Sequence, residues 1–136
     1  MSNSPSKIAI VLRSDLEHWQ RLNVAAFVAS GMALQPGVCG GKYRDNDGAT
    51  YAALFVDPVI VLGGSPEDLQ RTLARARVEG LEPGIFTEDM FHTFNDEDNR
   101  AAVAQHKTLA LPLVGVSLRA DRPTLNRVVK GLPLLA

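Results

Sequence analysis

The sequence has a single cysteine and no excess of either charge. Cys39 is alone among 136 residues, so no disulfide can form within the chain, which is typical of a reducing compartment. Lys and Arg number 14 against 15 Asp and Glu, a net charge of -1. Proteins that bind nucleic acid usually carry a basic surplus. These absences predict a cytoplasmic protein for which tRNA is a disfavoured partner.

Long hydrophobic runs and metal motifs are missing too. The apolar run at residues 8–12 is far too short for a signal-peptide core or a membrane span. Three histidines and one cysteine show no zinc spacing. Asp45-Asn46-Asp47-Gly48 resembles the start of a calcium loop but lacks the remaining ligands, so a tight turn is the better interpretation. We therefore expect no metal, no cofactor and no membrane contact.

The length of the chain is that of one domain. Hydrophobic residues make up 46% and charged residues 21%, as in ordinary globular proteins, and no repeat or linker divides the sequence. We predict a flexible N-terminus over residues 1–6 and a single domain over residues 7–136.

Strand and helix patterns alternate along the chain. Strands are predicted at residues 7–13, at 51–62 with a break at Asp57-Pro58, at 84–87 and at 109–118. Helices are predicted after a capping box at 14–17, after the cap Ser65, after Asn95 or Asp96, and from Asp121 or Arg122. A turn at 46–48 adds a hairpin. The predicted fold is a three-layer α/β/α domain, with a mixed, mainly parallel sheet and helices on both faces.

Helical spacing of apolar residues predicts the buried helix faces. These residues are Trp19, Leu22, Ala26 and Ala29 in the first helix, Leu69, Leu73 and Ala76 in the second, and Leu125, Val128 and Val129 in the last. The first helix is also rich in small residues, so another element can approach it closely. This face and the apolar C-terminus are candidates for contacts in a homodimer.

The stretch Ile85–Asp96, I-F-T-E-D-M-F-H-T-F-N-D, places an acid, an imidazole and a hydroxyl just past a predicted strand. Ligands of open α/β sheets bind at that edge, where Asp89 is a candidate general base and His92 titrates near neutral pH. The alternative is a turn, in which Asp89 and Thr93 cap and His92 faces water between two core phenylalanines, Phe91 and Phe94.

Cys39 lies in a glycine-rich loop, G-V-C-G-G-K. Beside His18, His92 or His106 it would be a candidate nucleophile; the alternative is a small buried hydrophobic residue. The loop is no phosphate-binding loop, because Gly41-Lys42 is followed by a tyrosine.

Three segments together resemble the archaeal and eukaryotic type (type II) of peptidyl-tRNA hydrolase. They are Ile10–Gly31, Ser65–Asp89 and Leu113–Leu135, in the same order as in that family, and only the hairpin region Val38–Leu54 has no counterpart. Residues that match the family pattern are Arg13, Asp15, Leu16, Ala25, Ala26, Asp89 and Thr93. The resemblance implies the family's fold, in a diverged branch of small bacterial proteins, and a cleft in which relatives cleave the ester between peptide and tRNA.

The chain departs from the family pattern where the resemblance places the chemistry. Asn23 stands at the family's lysine, Phe27 at its glutamine and Ser30 at its histidine, and Met90-Phe91 replaces Ala-Gly. The favoured hypothesis is therefore a binding module that holds a small ligand or a protein partner in a drier cleft.

The alternative is a diverged hydrolase of a small ester, an amide or peptidyl-tRNA. Asp89 would be its base, Asn23 and Thr93 would position the substrate, and His92 or Ser30 would assist. In either hypothesis the ligand-binding residues are Arg13, Asp15, Phe27, Ser30 and Phe91. Whether the protein is an enzyme is left open by its sequence.

Overall fold

The fold is taken from a computed structural model that describes residues 5–136. Residues 1–4 of the predicted flexible N-terminus lie outside the described residues. The strands are β1 Ser6–Arg13, β2 Tyr43–Arg44, β3 Thr50–Tyr51, β4 Val59–Gly64, β5 Gly84–Thr87 and β6 Leu113–Asp121. The helices are α1 His18–Ser30, α2 Pro66–Val78, α3 Asp96–Ala104 and α4 Arg122–Val128. Short 3-10 helices span Glu88–His92 and Thr108–Ala110. Every helix in residues 5–136 is too short or too polar to cross a bilayer.

Four strands form one mixed sheet in the order β4-β1-β6-β5. β1 and β4 are parallel, whereas β6 runs antiparallel to both of its neighbours, β1 and β5. The mixed α/β prediction is confirmed. The prediction of a mainly parallel sheet is wrong in its pairing, because two of the three strand pairs are antiparallel. After β5 the chain passes through the 3-10 helix Glu88–His92, α3 and the 3-10 helix Thr108–Ala110, and it re-enters the sheet in the opposite direction.

The sheet buries both faces. Alternate residues of β1 point to opposite sides, as the period of two in a strand requires. Ala9 and Val11 pack in a core with α2 and α4, whereas Ile8, Ile10 and Leu12 pack in a second core with α1. Helices therefore cover the two faces of the sheet, and one face is covered by α1 together with part of the 3-10 helix Glu88–His92.

The start of α1 differs from the prediction. The N-cap is Glu17, in a capping box with Gln20, and the box predicted at residues 14–17 is wrong. The backbone N–H of Ser14 donates to the carbonyl of Gly64 at 2.9 Å, and its hydroxyl donates to the same oxygen at 3.3 Å. Ser14 thus continues the pairing of β1 with β4 and is not available to cap a helix.

The buried face of α1 also differs. Val24 and Val28 are buried, whereas Trp19 and Leu22 are 58% and 63% exposed. α1 lies very close to the sheet at Gly115, where an added Cβ atom would come within 3.0 Å of Val24 Cγ1. Because Gly115 in β6 has no side chain, α1 can pack closely against the sheet through Val24 and Val28.

The other elements follow local signals. Ser65 caps α2 by accepting a hydrogen bond from the N–H of Asp68 at 3.1 Å, and the predicted apolar face of α2 is buried. Asn95 caps α3 and Asp121 caps α4. Gly48, at φ 90°, turns the hairpin in which Tyr43 pairs with Tyr51. The last strand begins at residue 113 and not at 109, because residues 108–110 form a 3-10 helix.

Candidate functional site

A groove lies at the β5 edge of the sheet, between α1 and α3. Its volume is about 870 Å³, within the range of ligand sites. We call it the β5 groove. It is lined by Trp19, Asn23, Phe27, Ser30, Ile85, Phe86, Met90, Phe91, Thr93, Phe94, Asn95, Asp96, Asn99, Arg100, Val103 and Ala104.

One wall of the β5 groove is a row of aromatic rings. Ring centroids are 5.9 Å apart for Trp19 and Phe91, 5.2 Å for Phe91 and Phe86, and 5.8 Å for Phe86 and Phe27. Phe86 is 3% exposed, whereas Trp19 and Phe27 are more than half exposed. Trp19, Asn23 and Phe27 recur every four residues, so one stripe of α1 faces the groove. Trp19, which we expected in the core, therefore lines this groove, whereas Leu22 is exposed outside it.

The opposite wall is polar and belongs largely to α3. Asn95 Oδ1 accepts a hydrogen bond from the N–H of Asp98 at 2.8 Å, and Asn99 Oδ1 accepts one from the hydroxyl of Thr93. Arg100 Nε lies 2.8 Å from Asp96 Oδ2. The one acid and the one base of the lining thus neutralise each other.

Asn23 is a side chain of the groove whose whole carboxamide is available to a ligand. The amide of Asn23 has no hydrogen-bond partner within the part of the chain that the structure describes, and the residue is exposed. The hydroxyl of Ser30 donates to the carbonyl of Phe27 at 2.6 Å, so its proton is already used. A ligand in the groove would therefore meet a free carboxamide between two aromatic rings.

Five residues of the predicted site line the β5 groove: Asn23, Phe27, Ser30, Phe91 and Thr93. Arg13, Asp15, Asp89 and His92 are absent from the lining. His92 is exposed, as the turn interpretation predicts. Phe94 is 94% exposed at the rim, so its predicted place in the core is wrong.

Arg13 is held by carboxylates at the end of β1. Its Nε lies 2.6 Å from Asp15 Oδ1, and its Nη1 lies 3.3 Å from Glu88 Oε2. Burial lowers the pKa of Arg13, but the hydrogen bonds to Asp15 and Glu88 outweigh that effect and raise it. The guanidinium and both carboxylates are therefore engaged with one another.

Asp89 pairs with a histidine that the sequence did not single out for it. Asp89 Oδ2 lies 2.7 Å from His106 Nε2, and both side chains are partly exposed. The two residues are 17 positions apart, and α3 brings them together by folding back over the 3-10 helix Glu88–His92. No local pattern could have indicated this pair.

Cys39 is exposed, and its backbone forms an isolated bridge with Phe55. Its interpretation as a small buried residue is therefore wrong. Residues 5–136 contain no cluster of three or more His, Cys, Asp or Glu side chains that could hold a metal ion.

Comparisons with known proteins match the chain over nearly its whole length. Residues 6–136 match a family described as "Protein of unknown function (DUF2000)". A solved structure of a protein of unknown function from Agrobacterium tumefaciens is similar, with 36% identity over 96% of this chain and 98% of that chain and a TM-score of 0.91. No curated protein matches. Neither this family nor this structure is described as a peptidyl-tRNA hydrolase.

Proposed function

The chain belongs to the DUF2000 family of proteins of unknown function, and from the β5 groove we propose that it binds a small organic ligand with an aromatic or apolar body. The observation that carries the proposal is the row of four rings from Trp19 through Phe91 and Phe86 to Phe27. Two of these rings, Trp19 and Phe27, are more than half exposed. Exposed rings beside a groove of ligand size favour binding, because covering them removes apolar surface from water.

The polar groups of the groove limit the class of ligand. Asn23 offers both an acceptor and donors, and the carboxamide of Asn99 keeps its N–H groups because its oxygen serves Thr93. The opposite charges of Asp96 and Arg100 neutralise each other, so the lining has no net charge. An uncharged ligand that carries an acceptor and a donor on an aromatic body matches this lining.

We also propose that the β5 groove corresponds to the cleft of the type II peptidyl-tRNA hydrolases. Support comes from Asn23, Phe27 and Ser30, which stand at that family's lysine, glutamine and histidine and which all line the groove. The replacement of a cation by a neutral amide, and of a glutamine by a phenylalanine, favours binding without the family reaction.

The test is a screen of uncharged aromatic fragments, with indole, 2-naphthol and benzamide as the first probes, followed by amide chemical shifts of the labelled protein. We expect shifts at residues of the groove. Phe27→Ala should weaken binding about tenfold, because about 1.4 kcal/mol of ring contact is lost. Leu22→Ala is the matched control, since Leu22 is equally exposed on the same helix but outside the groove. Shifts that map away from the groove, or equal losses in both variants, would contradict the proposal.

A second candidate function is hydrolysis, and the pairing of Asp89 with His106 is the observation that favours it. A carboxylate that orients an imidazole is a common arrangement of general bases. The assay is cleavage of N-blocked aminoacyl-tRNA and of p-nitrophenyl acetate, with Asp89→Ala beside the exposed control Glu97→Ala. Ligand binding alone predicts no cleavage above background in any of the three proteins. A rate that disappears in Asp89→Ala only would establish the second candidate instead.

A further inference from the structure

We infer that the occupant of the β5 groove is an extended peptide segment of about four residues, which adds to the sheet as a strand beside β5. The inference rests on the proposed function, because it names the ligand class of the same site.

The two edge strands of the sheet, β4 and β5, differ in whether their outer backbone groups are hydrogen-bonded. At the β4 edge, residues near the C-terminus form a cover: the N–H of Gly63 donates to Pro133 O at 3.0 Å, and the N–H of Leu135 donates to Val61 O at 3.1 Å. β5 forms the other edge and pairs only with β6 among the strands described. Open strand edges bind extended chains, because their backbone groups lack partners.

The hydrogen bonds after β5 show which backbone groups face the groove. The N–H of Glu88 donates to Pro112 O at 2.8 Å, on the side of β6. The N–H of Thr87 points the other way and donates to Met90 Sδ at 3.3 Å. The N–H of Ile8 donates to Pro58 O beside β4, so by alternation Val11 faces β6 and its partner Val116 faces β1. Ile85 is opposite Val116 in register, so its backbone groups face away from β6, on the same side as those of Thr87. The N–H and C=O of Ile85 therefore lie outside the β5–β6 ladder, and neither forms a backbone hydrogen bond elsewhere in residues 5–136. Ile85 also lines the groove.

A peptide residue offers an acceptor for the N–H of Ile85 and a donor for its C=O. In an antiparallel hydrogen-bonded pair two residues exchange both of their backbone hydrogen bonds, so one residue of the occupant would satisfy the donor and the acceptor of Ile85 together. An apolar ring can cover the aromatic wall, but a ring without donor and acceptor atoms leaves both groups of Ile85 to water.

The walls of the groove match the two faces of an added strand. Side chains of a strand point alternately to opposite sides. On one side they would meet Phe27, Phe86 and Phe91, and on the other the polar wall of α3 with Asn99. The four residues of β5 span about 13 Å at about 3.3 Å per residue, which sets the length of the occupant. With Asp96 and Arg100 paired, the lining is electrically neutral, as the backbone of a blocked peptide is.

The experiment is a positional-scanning library of N-acetylated, C-amidated tetrapeptides, each with one aromatic residue, bound to the labelled full-length protein. The readout is hydrogen exchange of the Ile85 amide. We expect the best peptides to slow that exchange about tenfold or more, as a hydrogen bond of about 1.4 kcal/mol does. The amide of Phe86 is the internal control, since alternation turns it toward β6 and its exchange should change less.

N-methylation of the best peptide tests the strand geometry without altering the protein. Methylation of the one residue that donates to Ile85 should weaken binding about tenfold, and methylation of the next residue less than twofold, because its N–H points away from β5. If no library peptide slows exchange at Ile85, or if every methylation is equally costly, the inference is overturned. Aromatic fragments that still shift groove residues would in that case leave the proposed function standing, and failure of both ligand classes would refute both.

Discussion

Gly115→Ala should push α1 away from the sheet. A Cβ atom at Gly115 would lie closer than 3.0 Å to Val24 Cγ1 and 3.4 Å from Leu12 Cδ2. Carbon atoms normally meet at about 3.5 to 4.0 Å. The strand cannot retreat, because Gly115 pairs with Leu12 on one side and with Phe86 on the other. The helix must therefore move, and it carries one wall of the β5 groove with it.

The cost follows from these contacts. Overpacking a core costs about 1 to 3 kcal/mol, and the confined strand places Gly115→Ala near the upper end. Replacing a glycine within a strand by alanine stabilises the folded state by about 0.5 to 1 kcal/mol, because alanine loses less backbone entropy on folding. We expect a net loss of about 2 kcal/mol in the free energy of unfolding, or about 8 °C in Tm for a chain of this length.

Urea unfolding of a double-mutant cycle with Val24→Ala measures whether the clash is the cause. Val24→Ala removes the methyl group in question, so adding Gly115→Ala to it should cost nearly nothing, a coupling of about 2 kcal/mol. Gly41→Ala is the control: no atom lies within 4 Å of its added Cβ, and the change should stay within about 0.5 kcal/mol. A Gly115→Ala penalty that is equal in both backgrounds would refute the reasoning.

Three further predictions concern the rest of the fold. Asp57→Ala should cost about 3 kcal/mol in urea unfolding, because Asp57 and Arg119 form a largely buried ion pair at 2.7 Å and the guanidinium would lose its carboxylate and keep only the carbonyl of Pro36; no loss would mean that water replaces the carboxylate. Hydrogen bonds from the backbone and hydroxyl of Ser65 hold the pKa of Asp68 below its ordinary value of 3.8, so its charge stabilises the fold above that pH and the contribution disappears as pH falls through the folded-state pKa. Asp68→Asn should therefore be about 0.5 to 1 kcal/mol less stable at pH 7, with a gap that closes as the pH falls through the folded-state pKa of Asp68; a gap that persists in acid would contradict this account. Gly48→Ala should lower the free energy of unfolding by about 1 kcal/mol through backbone strain at φ 90°, and with it Tm, without altering fragment binding in the groove.

The parts of the fold that were predictable have their causes close by in the chain. Ser65 and Pro66 begin α2, and Gly80 follows its end at φ 73°. β5 occupies the predicted residues 84–87. Caps and turns depend on hydrogen bonds over three or four residues, so a short stretch of sequence contains all the partners.

The errors arose where a partner lies far along the chain. Ser14 has the spacing of a helix cap, but Gly64, 50 residues later, takes its N–H and its hydroxyl. Trp19 and Leu22 have core spacing, but the close approach of Val24 to Gly115 turns another stripe of α1 to the sheet. Helical periodicity gives the angular spacing of a face and not the face that meets the core.

Only the wall of the β5 groove formed by α1 was predictable from the sequence. The resemblance indicated Asn23, Phe27 and Ser30, which α1 presents together because they recur at helical spacing. The wall formed by α3 was missed, since Asn99 carries no signal of its own and faces the groove only after α3 has folded back.

The sequence by itself determined that no disulfide can form within this protein, where α2, α3 and α4 begin and that strands alternate with helices, because these properties follow from composition and from contacts a few residues apart. The tertiary structure alone decided the direction of β6, the pairing of Asp89 with His106 and the open edge at Ile85. Each of these depends on which distant segments become neighbours in the sheet. Burial of the two cores as a whole determines which segments become neighbours, so no single stretch of the chain can predict it.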